Sequence, residues 1–246
     1  MLTIIEKNTK MCMLMCKRVS MKQAIEFSNN EHPFLFVGSR KKSQSSYFIV
    51  VTNGCVLIRL GKQEHMITKG HGFWIPFDCL HAITVLPGAT FYKVAFSVRM
   101  TQPLCTDAGF FVVSSLVRAV LDELSKSPVQ GHQWDGAEGR LLKVIADQVE
   151  KLSVSTQSLC PAINKQHHNS LALMLTGNKI TEKTAISSLE SVMNMTVKEC
   201  EACILMREVL KLSRSGRKLP QIAAQLNTTE QMVGALSLPI LGESLR

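Results

Sequence analysis

Tyr47-Phe48-Ile49-Val50-Val51-Thr52-Asn53-Gly54-Cys55-Val56-Leu57-Ile58-Arg59-Leu60 decides the fold class of the first half of the chain. Tyr47 to Thr52 is aromatic and β-branched, which suits extended backbone, and a second run follows from Cys55 to Leu60. Asn53-Gly54 between them supplies residues that tolerate positive φ, so the stretch reads as a β-hairpin. Working outward, Gly61-Lys62 marks another turn, and Glu64 to Thr68 another short strand. Lys69-Gly70-His71-Gly72 is a turn before the strand that begins at Phe73 and reaches Pro76. His81 to Leu86 and Thr90 to Ser97 flank Pro87-Gly88 and read as a second hairpin. Short strands at this spacing predict a sandwich or barrel.

After Pro103 the apolar period changes from that of a strand to that of a helix. Phe110, Val113, Val117, Val120, Leu121 and Leu124 mark one helical stripe. Leu141, Leu142, Ile145, Val149 and Leu152 mark a second, within Gly136 to Leu152. Ser153 to Pro161 is polar and reads as a linker. Further helices are expected at Asn169 to Thr176, Thr181 to Val192, Val197 to Ser213 and Pro220 to Leu226. A last helix is expected from Thr229 to Leu238, ended by Pro239. The fold class is therefore α+β, with strands first and helices after.

Hydrophobic residues make up 46% of the 246, which supports a packed core. The formal net charge of +9 permits a nucleic acid or anionic membrane as partner without requiring either. Residues 158–246 hold 10 Lys and Arg against 7 Asp and Glu, so the excess is not concentrated in the tail. The eight cysteines are irregularly spaced in a long chain, unlike a secreted disulfide scaffold. The Met11 to Cys16 apolar run is too short for a secretory signal, and nothing approaches the roughly 20 apolar residues of a membrane span. The expectation is a cytoplasmic chain with free thiols and no membrane partner.

Gln221-Ile222-Ala223-Ala224-Gln225-Leu226-Asn227-Thr228-Thr229 carries the features of a helix-turn-helix. Ala223 and Ala224 allow close helix packing, and Asn227 tolerates the left-handed conformation of the turn. Thr228 or Thr229 can cap the next helix, and Pro220 fits the first turn of the preceding one. The same features also fit an ordinary helical hairpin.

With these segments in view, the chain resembles the AraC/XylS family of transcription regulators. Gly72-Phe73-Trp74-Ile75-Pro76-Phe77-Asp78-Cys79-Leu80-His81-Ala82 resembles the strand pair of that family's cupin-type sensor barrel. Thr181 to Leu189 resembles its first recognition helix. Asn194-Met195-Thr196 stands where the family usually has Gly-Met-Ser, and Leu219 to Asn227 resembles the start of its second helix-turn-helix unit. The resemblance implies a cupin-like sensor over residues 1–105, a helical dimerisation region and linker over 106–157, and a shortened DNA-binding domain over 158–246. It also implies double-stranded DNA, a second copy of the chain, a small-molecule effector and RNA polymerase as partners.

The residues expected at DNA are Lys183, Thr184 and Ser187 in one groove and Thr229 and Gln231 in the other, glutamine being suited to adenine. Arg214, Arg217 and Lys218 could hold phosphates, or could simply form a solvated helix end. Three departures from the family stand out. Too little chain lies between Pro161 and Thr181 for two leading helices. Ser187-Ser188 replaces frequent arginines, and the final helix has no Lys or Arg. A derived protein that no longer reads DNA and acts through protein partners is therefore the alternative.

Trp74, Phe77, His81 and Tyr92 are candidates for an effector pocket, though the three aromatic side chains also suit plain core. No metal or other cofactor is expected. His65, His71 and His81 include no His-x-His pair, and Glu64 and His65 on one strand point to opposite faces. A cupin enzyme is thereby disfavoured. No P-loop, dinucleotide fingerprint, nucleophile elbow or triad spacing is present, so the chain is read as a non-enzyme. Cys200-Glu201-Ala202-Cys203 is a single CxxC on a helix, read mainly as helix packing.

Overall fold

The computed structural model describes residues 24–126 and 134–245. The Met11 to Cys16 run, with Cys12 and Cys16, lies outside them. Among the described residues ten strands come first: β1 Ile25–His32, β2 Phe36–Val37, β3 Lys41–Lys42, β4 Ser46–Asn53, β5 Cys55–Leu60, β6 Gln63–Thr68, β7 Gly72–Ile75, β8 Leu80–Val85, β9 Ala89–Phe96 and β10 Gly109–Phe111. Seven α-helices follow: α1 Ser115–Lys126, α2 Ala137–Glu150, α3 His168–Leu175, α4 Lys183–Met193, α5 Val197–Arg214, α6 Leu219–Gln225 and α7 Glu230–Leu241. The class is α+β, with strands and helices segregated along the chain.

The strands form two antiparallel sheets, β1-β9-β4-β7-β10 and β2-β8-β5-β6, with β3 also on β8. They face each other as a sandwich and do not close, which corrects the expected barrel. Both expected hairpins are corrected too. β4 pairs with β7 and β9, whereas β5 pairs with β6 and β8, so Asn53-Gly54 carries the chain from one sheet to the other. Pro87-Gly88 does the same between β8 and β9. The two corners support each other: Asn53 donates to the Gly88 carbonyl at 3.1 Å, and Leu86 N–H donates to the Cys55 carbonyl at 3.2 Å. Gly54, at φ +66°, leaves room for Ala89; a Cβ there would lie 3.0 Å from the Ala89 Cα. Positive φ serves a corner as well as a hairpin, so the same residue pair fits both.

Four layers result. Ile49, Val51, Ile58, Phe73, Val85 and Phe91 fill the space between the sheets. Phe48, Trp74, Val94 and Phe96 on the outer face of the first sheet pack beneath Leu121 of α1 and Leu142 and Ile145 of α2. Cys55, Leu57 and Met66 on the outer face of the second sheet share one core with the helical tail, including Leu171, Leu189, Ile204 and Ile222. Both faces of β4 and β5 are covered, so these strands read as continuous apolar runs rather than alternating ones.

The helical stripe expected from Phe110 begins later. Gly109–Phe111 is the edge strand β10, bridged to Ser155 of the linker, and α1 starts at Ser115. Pro239 does not end the last helix. α7 continues to Leu241 and stops at Gly242, whose φ of +75° and N–H bond to the Leu238 carbonyl close the helix end. A single proline removes one intrahelical bond; the helix spans it because Val233, Ile240 and Leu241 are buried on either side.

Candidate functional site

The tail contains two pairs of helices set against the 18-residue α5. α3 and α4 precede it; α6 and α7 follow. Only α3 and a 3-10 turn at Lys165–His167 lie between Pro161 and α4, so the first unit has one leading helix. α4 ends on Asn194 at φ +56°, which explains how asparagine serves where the resembled family has glycine. Thr196 and Glu199 then form a capping box for α5.

The α6–α7 turn follows the sequence reading closely. Asn227 takes φ +51°, and the Thr229 hydroxyl accepts the Met232 N–H at 3.1 Å as the N-cap of α7. Asn227→Ala is expected to destabilise the protein by about 1–2 kcal/mol, because alanine meets the cost of the left-handed conformation without the local polar contacts that let asparagine adopt it, whereas Asn227→Gly should stay near wild type. Urea midpoints of the two variants check this; equal midpoints would contradict it.

Lys183, Thr184 and Ser187 are all exposed on α4. The Thr184 hydroxyl is already engaged, donating to Glu182 at 2.9 Å. Glu182 also accepts the Ser170 hydroxyl, and these bonds hold its carboxyl below the ordinary carboxylate value. A fixed negative charge therefore sits beside Lys183. Arg217 and Lys218 are exposed between α5 and α6, and Gln231 is exposed on α7. Arg214 is committed elsewhere: its guanidinium donates to the Val37 carbonyl of β2 at 2.6 Å. The outward face of α7 carries Met232 and Leu238, 51% and 59% exposed, and no cation.

The four expected pocket residues are not brought together. Trp74 is fully buried on the outer face of the first sheet, against Phe96, and its indole N–H donates to the Cys105 carbonyl at 2.9 Å. Tyr92 lies on that same outer face and donates to Asp122 of α1 at 3.1 Å. Phe77 is exposed on a loop. Only His81 faces the space between the sheets. Its Nδ1 lies 3.0 Å from the Cys79 carbonyl, which can only accept, so that nitrogen carries the proton. Its Nε2 therefore accepts the Tyr47 hydroxyl at 2.5 Å. Lys93 stands 4.6 Å from the Tyr47 ring centre, and burial first, then Lys41, lowers its pKa. The Tyr47–His81–Lys93 cluster went unread because its members are scattered over three strands of two sheets.

Sequence alternation correctly separated Glu64 from His65. His65 points between the sheets, against Phe73 and Phe110, and Glu64 points to the tail. There it meets Arg207, only 3% exposed, at 2.6 Å. Arg207 also donates to the Leu175 carbonyl at 3.1 Å and to Glu208 at 3.1 Å. This ion pair was missed by sequence reasoning. Its signal is an arginine in line with Cys200, Cys203 and Ile204, on the buried face of α5.

Among the described residues no three His, Cys, Asp or Glu side chains converge to hold a metal, no helix is long and apolar enough to cross a membrane, and the six cysteines are free thiols. Cys200 and Cys203 are buried, and burial pushes both thiols up to about 12. They are protonated packing groups rather than nucleophiles.

Burial lowers the pKa of His32, His65 and His81 below 6.5. Below pH 6.5 the unfolded chain takes up protons that the folded chain refuses, so stability falls with falling pH. The contribution of these three histidines becomes flat only well above pH 6.5, where the unfolded chain also leaves them neutral. The urea midpoint is expected to drop from pH 6.5 to 5.5, and less steeply in His81→Gln; equal slopes in the two proteins would contradict this.

No family model matches the chain, and no curated protein matches it. Among solved structures it is similar to an apo variant of ToxT from Vibrio cholerae strain SCE256, at 10% identity over 91% of this chain and 96% of that one, with a TM-score of 0.39. ToxT from Vibrio cholerae O395 bound to (E)-4-(8-methylnaphthalen-1-yl)but-3-enoic acid gives 12% identity over 90% and 97% of the two chains, with a TM-score of 0.37. A cupin superfamily protein from Desulfitobacterium hafniense gives 13% identity over 32% and 72%, with a TM-score of 0.29. Likenesses this distant assign no function to the chain.

Proposed function

We propose that the chain is a DNA-binding transcription regulator of the AraC type, whose β-sandwich half modulates operator binding by its helical half. The observation that carries this reading is the pair of helical units at the two ends of α5. Eighteen residues at 1.5 Å each make a helix of about 27 Å. That length approaches the ~34 Å separating successive major grooves on one face of DNA. Lys183, Thr184 and Ser187 on α4 and Thr229 and Gln231 on α7 are the proposed base-facing residues, with Arg217 and Lys218 on phosphates. Arg214 serves the contact between the halves instead. A small-molecule effector, a second copy of the chain on a two-half-site operator, and RNA polymerase complete the proposal. Of the four pocket candidates, His81 keeps a place facing the sandwich interior.

One observation favours a second reading, an interaction protein that does not read DNA. The exposed face of α7 carries Met232 and Leu238 and lacks cations, whereas phosphate contacts by Lys and Arg dominate DNA affinity.

Salt titration of binding to a mixed-sequence labelled duplex tests the proposal. For each of Arg217→Ala and Lys218→Ala, the slope of log affinity against log salt is expected to fall by about 1. Unchanged slopes, or no binding by the wild type at low salt, would favour the interaction protein.

A further inference from the structure

Strand β6 lies at the edge of its sheet, and consecutive residues of it hold different parts of the tail. Glu64 pairs with Arg207 of α5. His65 Nδ1 donates to the Ser158 carbonyl at 3.0 Å. The Met66 N–H donates to the Leu159 carbonyl at 2.8 Å. The same His65 ring packs on Phe73 and Phe110 between the sheets, so β6 touches the sandwich interior, the linker and α5 at once.

Arg207 extends this grip to the first helical unit. Its guanidinium is a planar fork whose donors point in fixed directions. One arm holds Glu64, another holds the Leu175 carbonyl at the end of α3, and its Nε holds Glu208, which also takes Lys211 at 2.8 Å. The Leu175 carbonyl belongs to the last turn of α3 and has no intrahelical partner of its own. Because the fork is rigid, one orientation of the guanidinium serves Glu64 and the Leu175 carbonyl together. We infer that Glu64 and Arg207 form a joint through which the position of β6 sets the angle of the α3–α4 unit on α5. The inference rests on the regulator reading only for its consequence at DNA; the joint itself is independent of that reading.

Hydrogen exchange of the full chain, comparing wild type with Glu64→Gln and Arg207→Lys, tests it. Glu64→Gln acts from the sheet side. Arg207→Lys keeps the charge opposite Glu64, but a single ammonium cannot span Glu64, Leu175 and Glu208. Both variants are expected to speed exchange across α3 and α4 by about tenfold more than any rise shared by β4, β7 and β9. Unchanged protection of α3–α4 in either variant would overturn the joint. So would a uniform rise across both halves, which is the mark of a merely structural contact. Duplex binding, measured in parallel, separates the two ideas: a wild type that does not bind DNA contradicts the regulator reading and leaves the exchange result standing.

Discussion

Arg207→Met is expected to lower the unfolding free energy by about 3–5 kcal/mol, the usual consequence of removing one partner of a buried ion pair. Methionine restores much of the volume but leaves the Glu64 carboxylate, 12% exposed, without its counter-charge. It also leaves the Leu175 carbonyl without a donor. The double variant Glu64→Gln with Arg207→Met removes the buried charge together with its partner. It should therefore be markedly more stable than the single variant, a positive coupling readable from a double-mutant cycle in urea. A single variant within about 1 kcal/mol of wild type would show that the two halves do not depend on this pair.

Trp74→Ala is expected to cost about 3–5 kcal/mol, the range for truncating a fully buried large aromatic residue. Trp74 joins the first sheet to α1 and α2, and its indole N–H satisfies the Cys105 carbonyl. Trp74→Phe keeps most of the packing and loses the hydrogen bond, so its cost should be about 1–2 kcal/mol. Urea unfolding of the two variants gives both numbers. A small effect of Trp74→Ala would mean that the side chain lines a space rather than fills one, restoring it as a pocket residue.

Much of the fold was legible. Six strands and seven helices stand close to where periodicity placed them, because apolar spacing reports directly on which residues face a core. Asn227 and Thr229 were readable because a left-handed turn and an N-cap each demand particular side-chain chemistry within a few residues. The pairing of strands was not. Asn53-Gly54 and Pro87-Gly88 reverse the chain at corners between sheets, and local turn chemistry does not distinguish a corner from a hairpin. Strand β1 was unread because Ser28-Asn29-Asn30 on the edge of its sheet lacks the apolar pattern that marks the others. The site was less legible than the fold. Trp74 and His81 lie in one sequence motif, yet one faces α1 and α2 and the other faces the sandwich interior. Glu64 and Arg207 meet across 143 residues, a distance that no local pattern spans.

This geometry sharpens the functional question. A regulator whose two halves share a core, as the second sheet and the tail do here, cannot act by separating them without exposing that core to water. Any control of DNA binding must instead act through small changes in how the helical units are presented, with each state favoured by differential contacts.

Recovery of genomic DNA fragments by the purified protein, at low and at moderate salt, tests DNA reading by this chain most directly. A sequence-specific regulator is expected to recover a few shared sites that are retained at moderate salt and lost in Lys183→Ala. Uniform recovery that vanishes with salt, or no recovery at all, would contradict it and turn the search to protein partners of α7.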